Sequence, residues 1–159
     1  MKAVRVHKFG LDAPMHLDEI EDARAGVGEV LIRTRAIGAH PVDVSVRAGF
    51  HPFKKFVTPP YIPGPEAAGE VVEVGAGVEG FRTGQRVCGR AMGGAYAEFV
   101  RLGAPWSLNL PDTYGFSQGA GIAVQFITAW NAVVISARAT AGETVLAQGG
   151  AGGVGMAAI

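Results

Sequence analysis

The chain is poor in the features that mark many function classes. Cys88 is the one cysteine among 159 residues, which excludes an internal disulfide and any zinc site built from several thiolates. Basic and acidic side chains balance at 14 each. Without a basic cluster, nucleic acid is not an expected partner, because phosphate binding draws on concentrated Lys and Arg. The histidines, His7, His16, His40 and His51, stand at none of the spacings that metal ligands use. His40 and Glu66 could meet in space, but two ligands do not make a metal site, and no metal is expected. Gly-x-Ser-x-Gly is missing, so serine-hydrolase chemistry lacks its local signature. The opening Met1–Lys8 interleaves charges with apolar residues and has no hydrophobic run of signal-peptide length. The expected location is cytoplasmic.

One stretch lacks charge altogether. Gly115 to Ala137, 23 residues, is long enough to cross a bilayer. It also carries Ser117, Gln118, Gln125, Thr128, Asn131 and Ser136, whose amides and hydroxyls would go unpaired in hydrocarbon. The reading is a buried helix of a soluble protein, not a membrane span.

Glycine is abundant instead: 24 residues, spread along the chain in the manner of short strands joined by tight turns. Strands are expected at Lys2–His7, Glu29–Ile37, Gly69–Val74, Arg86–Cys88 and Tyr96–Arg101. In the second, Val30, Ile32 and Ala36 share one face and Glu29, Arg33 and Arg35 the other. Five prolines between positions 50 and 65 mark an extended loop. After Pro111 the pattern turns helical, with Ser117 as the expected N-cap and one or two helices ending before Gly142. Thr144–Gln148 then reads as a strand of the buried, parallel kind. Cys88 reads as a small core residue rather than a reactive thiol.

Directly after that run comes Gly150-x-Gly152-x-x-Gly155, before a helix-permissive Met156–Ile159. Strand, glycine turn, helix is the context of a dinucleotide fingerprint. Gly150 would permit the sharp turn, Gly152 would let the backbone approach a pyrophosphate, and Gly155 would let the helix pack closely. Free amides at the helix N-terminus, with Gly153 and Val154 among them, would meet the phosphates. The residue that reads the ribose stands roughly 20 positions further on, past Ile159, so these residues are compatible with both NADPH and NADH.

An ordered series of motifs runs through the whole chain: Gly28-Glu29-Val30-Leu31-Ile32-Arg33; Pro41-Val42-Asp43 with Arg47-Ala48-Gly49; Pro63-Gly64-Pro65-Glu66-Ala67-Ala68-Gly69. It continues with Val74-Gly75-x-Gly77-Val78-x-x-Phe81-x-x-Gly84-x-Arg86-Val87, Gly93-Gly94-Ala95-Tyr96-Ala97-Glu98, Thr128-Ala129, Ala141–Leu146 and Gly152-Gly153-Val154-Gly155. In these motifs the chain resembles the medium-chain dehydrogenase/reductase superfamily, in its zinc-free quinone oxidoreductase (zeta-crystallin-like) branch. The resemblance implies a mainly β fold with some α: a GroES-like β-barrel domain over residues 1–122, then at 123–159 a connecting helix and the first strand, turn and helix of a Rossmann domain. It implies NADPH as hydride donor, a quinone or other activated carbonyl or alkene (an enone) as acceptor, and a homodimer at full length. It also implies a longer chain, of which these residues are an amino-terminal portion not expected to turn over alone.

Zinc-dependent relatives place Cys where this chain has His40, and Gly-His-Glu where it has Gly64-Pro65-Glu66, which again points to the zinc-free branch. Members of that branch often carry Asn at the position of His40, Tyr at Ser45 and a second Tyr near Phe50-His51. His40, Ser45 and His51 are therefore the candidate catalytic residues, set against a bland apolar pocket lining. Thr128 and Gln125 are the candidate nicotinamide-side contacts, and Tyr96 and Glu98 are expected to be structural. An enoyl-thioester reductase of the same superfamily and a non-enzymatic GroES-like binding module are the alternatives.

Overall fold

The computed structural model describes all 159 residues. Four antiparallel strands, β3 (Glu29–Gly38), β4 (Glu66–Val74), β5 (Arg86–Ala91) and β6 (Phe99–Asn109), close into a barrel in that order, with β6 returning to β3. A separate hairpin pairs β1 (Lys2–Val6) with β2 (Met15–Glu19). Helix α1 (Pro41–Ala48) follows β3, and a short 3₁₀ turn occupies Pro52–Phe56. After the barrel come α2 (Phe116–Gly119) and α3 (Ala123–Trp130), which continues as a π-helical turn over Asn131–Ser136; α4 (Gly153–Ala158) ends the chain.

Side-chain alternation builds the core. On β4 and β5, Ala67 and Val87 point into the barrel with Val30, Ile32, Val71, Val100 and Leu102. Their neighbours Ala68 and Cys88 point outward, onto Leu110 and Ala120 beside α2. The barrel is thus filled on one face, and its opposite face at β4 and β5 seats the helices. Gly69 has to be glycine: a Cβ there would collide with the Arg33 carbonyl across the β3–β4 ladder.

Sequence and structure differ at several elements. Strand β2 was not expected, since its two apolar residues, Met15 and Leu17, are exposed and pairing with β1 alone holds it. Strand β6 starts at Phe99 and runs to Asn109, whereas Tyr96 and Glu98 lie in the bend before it. The N-cap of α2 is Gly115, whose N–H is met by Gln118 Oε1 at 2.8 Å, and Ser117 lies inside the first turn. Thr144–Gln148 forms no strand; a parallel strand needs a neighbour, and none runs beside it, so Leu146 is 86% exposed. The uncharged helix is not buried either. Phe116–Ser136 is 21 residues long and apolar enough to cross a membrane by length and composition. Phe126, Trp130 and Ile135 are exposed because no element packs over that side.

Candidate functional site

A cleft of about 620 Å³ opens where α1, the proline-rich loop, the end of β5 and α3 converge. His51 and Thr128 line it, together with Asp43, Tyr61, Arg90 and the apolar Val42, Val46, Phe53, Ile62 and Ile127.

The loop positions its histidine through backbone contacts. Pro52 opens the 3₁₀ turn, and His51 Nδ1 accepts the Phe53 N–H at 3.2 Å. A neutral ring that accepts at Nδ1 carries its proton on Nε2, so His51 has one N–H left to donate. Thr128 Oγ1 donates to the Val124 carbonyl at 2.6 Å. Its proton is held inside α3, and its oxygen is left to the cleft as an acceptor.

The other two catalytic candidates face elsewhere. Ser45 Oγ donates back to the Pro41 carbonyl at 3.0 Å on α1 and does not line the cleft. His40 caps α1, its N–H donating to Asp43 Oδ2 at 2.9 Å, while its Nε2 lies 2.7 Å from Glu66 Oε1. Glu66 is fully buried. Its other oxygen accepts the Val124 N–H at the start of α3, at 2.8 Å. With its amide oriented to satisfy both neighbours, Gln125 Nε2 donates to Glu66 Oε1 at 3.1 Å and to the Gly121 carbonyl. A carboxylate on the barrel therefore fixes both the entry to α1 and the entry to α3. Burial pushes the Glu66 carboxyl above its usual range, against the opposing pull of the Val124 N–H and His40. His40 and Glu66 meet as the sequence suggested, and no group of three or more His, Cys, Asp or Glu side chains is arranged to hold a metal ion.

The glycine turn packs against α3. A Cβ on Gly153 would lie 2.6 Å from Gln125 Cγ, and one on Gly155 would strike Gly149 O and lie 2.7 Å from Gly150 Cα. Gly155 thus allows the close approach of helix to turn. The left-handed residue of the turn is Gly149, φ +68°, not Gly150, so the sharp bend falls one residue earlier than expected. Gly152 caps α4 in an extended conformation. Gly153, Val154 and Gly155 are in its first turn, where amides have no intrahelical acceptor, and Gly153 and Val154 are exposed. This turn suits a dinucleotide's phosphates: exposed, unpaired amides on a surface that side chains would fill.

Two wall residues escaped the sequence reading. The Tyr61 hydroxyl is buried without a partner, and burial, then the Asp43 charge, pushes its pKa up; its only signal was its place in the proline-rich run. Arg90 is placed by strand register alone. From the bend before β6, the Tyr96 hydroxyl donates to Asp43 Oδ2 at 3.2 Å, and burial and that carboxylate push its pKa up to about 12.

Comparison with known proteins gives a consistent picture. Residues 26–139 match the alcohol dehydrogenase GroES-like domain. Rat (Rattus norvegicus) quinone oxidoreductase is 39% identical over 159 residues, covering 99% of this chain and 48% of the relative. The Escherichia coli quinone oxidoreductase structure, a complex with NADPH, superposes with a TM-score of 0.83 at 28% identity, covering 99% of this chain and 48% of that one. The CurK enoyl reductase superposes at 0.87 with 25% identity, covering 99% and 49%. The chain spans about half the length of these relatives. It belongs to the alcohol dehydrogenase GroES-like family, within the medium-chain dehydrogenases/reductases.

Proposed function

We propose that the protein is a zinc-independent oxidoreductase that passes a hydride from NADPH to a quinone or another activated carbonyl or alkene. The observation that carries this reading is the cleft itself, apolar over most of its wall and bounded on one side by the helix against which the glycine turn packs. Bound there, reduced nicotinamide would supply the hydride.

The chain's own residues would bind and orient. Gly153 and Val154 would receive the pyrophosphate on free amides, with Gly150, Gly152 and Gly155 shaping the turn beneath it; the Gly152 N–H is taken by the Gly149 carbonyl at 2.8 Å. Thr128 would offer its oxygen to the carboxamide N–H. Gln125 would act from behind, holding the turn against α3. In the cleft, His51 Nε2–H is one donor open to the acceptor's carbonyl oxygen as charge develops there. Ser45 and His40 would act on position only, Ser45 within α1 and His40 through Glu66. Val46, Phe53 and Ile127 would exclude water from a flat acceptor. The expected setting is a cytoplasmic homodimer of the whole protein, with residues 1–122 as the barrel domain and 123 onward leading into the nucleotide domain.

The test is NADPH binding by the whole protein, followed by fluorescence, together with turnover of 1,4-quinones against enoyl thioesters. NADPH binding with quinone turnover is the expected result. Preference for the thioester would favour the enoyl reductase reading, to which the CurK likeness lends support. No NADPH binding would overturn the reading and leave a binding module.

A further inference from the structure

We infer that the acceptor carries an anionic group, a carboxylate or phosphate, that pairs with Arg90 at the edge of the cleft; this rests on the reading of the cleft as an acceptor site. Arg90 stands opposite Glu66 in the β4–β5 ladder. Paired residues of an antiparallel ladder project from the same face, and the Glu66 face of β4 is the one that seats α3. Arg90 therefore enters the cleft from the side of Ile127 and Thr128.

Its guanidinium is exposed and has neither an ion pair nor a hydrogen bond. Most arginines of the chain are engaged: Arg5, Arg24, Arg35, Arg86 and Arg101 pair with carboxylates, and Arg47 donates to two carbonyls. The cleft's one acidic side chain, Asp43, is not available to Arg90. Its Oδ1 accepts the Gly64 N–H at 3.1 Å, and its Oδ2 accepts His40 N–H and Tyr96 O–H. A largely apolar cleft thus presents one uncommitted guanidinium with five donors. That donor set matches a carboxylate or phosphate bidentately. A neutral quinone would leave it to water; a ring carrying an acid would use it.

The test compares anthraquinone-2-carboxylate with its methyl ester, ligands that differ in charge at one substituent. Binding to the whole protein is followed by quenching of tryptophan fluorescence, without nucleotide. The carboxylate should bind about tenfold more tightly than the ester at low salt, and the difference should shrink as salt is added. Arg90→Gln should remove the difference and leave ester binding unchanged, while Arg90→Lys should retain part of it. Equal affinities in the unaltered protein, or a preference that survives Arg90→Gln, would overturn the inference. So would Arg90→Gln weakening NADPH while sparing the carboxylate, which would assign Arg90 to the nucleotide's phosphates. Carboxylate preference without NADPH-driven reduction would keep the anion site and remove the oxidoreductase reading; reduction without the preference would do the reverse.

Discussion

Replacing Glu66 by alanine removes the one group that joins the barrel to both of the helices flanking the cleft. The carboxylate contacts His40 Nε2 at 2.7 Å and the Val124 N–H at 2.8 Å, and both side chains of the pair are largely out of water, at 11% and 1% exposure. Alanine leaves the Val124 N–H and the imidazole without their partner, at about 1–3 kcal/mol for an unsatisfied buried donor. The vacated volume adds roughly 1 kcal/mol, toward the low end for buried truncations because the cleft lies close by. A loss of about 2–4 kcal/mol in urea unfolding is expected. Glu66→Gln keeps the volume and one acceptor oxygen and should lose less. The pH dependence distinguishes the charge from the shape. Burial raises the folded carboxyl above its unfolded value, near 4.5. In the window just above that value the folded state holds the proton and the unfolded state has released it. The contribution of Glu66 is therefore fully present below the unfolded value and declines as pH rises through the folded one, a slope that Glu66→Gln should lack. A Glu66→Ala protein within about 0.5 kcal/mol of the unaltered one would refute the network as a structural tie.

Other outcomes follow from the same geometry. Tyr61 and Tyr96 have raised pKa values, so in an ultraviolet titration of the native protein Tyr96 should ionise at about 12, and unfolding should bring both hydroxyls down toward the ordinary tyrosine range. Buried Cys88, its thiol pushed up by desolvation and then by Glu66, should resist a thiol reagent at neutral pH and react once the protein is unfolded. Gly64→Ala would force a Cβ to 2.5 Å from Tyr96 Cδ1 at a φ of +99°, so a loss of about 1–3 kcal/mol or more is expected in denaturant unfolding. Gly155→Ala would push the turn off Gly149 and Gly150; it should weaken NADPH binding by at least about tenfold while shifting unfolding of the barrel by less than about 0.5 kcal/mol.

Where neighbours in sequence are also neighbours in chemistry, the chain could be read directly. Alternation in β3 placed Val30 and Ile32 inside because a strand's side chains flip face at every residue, but Ala36, expected on that face, packs with the outward Ala68 and Cys88 because the register shifts between Thr34 and Ala36. The glycine motif was legible because its spacing is itself the constraint, although the bend fell on Gly149 rather than Gly150. Thr144–Gln148 failed because its apolar run states a demand for a covering neighbour, and a strand forms only when that neighbour is there. The uncharged helix failed in the same way: composition asked for burial, and its outer side met nothing. His51 and Ser45, six residues apart, were equal candidates on paper. A helix turned Ser45 back onto Pro41, whereas the proline loop left His51 in the cleft with its Nε2–H to offer.

Sequence alone settled the materials of this protein: short strands punctuated by glycine, followed by an uncharged helix and a Gly-x-Gly-x-x-Gly turn. Those properties depend on residue type and short spacing, which the covalent chain carries by itself. Tertiary structure decided the assembly. Glu66, 26 positions from His40 and 58 from Val124, became the tie between them. Arg90 gained its position at the cleft through the register of β4 on β5. Contacts at such separations are set by how strands pair and helices pack, and no local pattern encodes them.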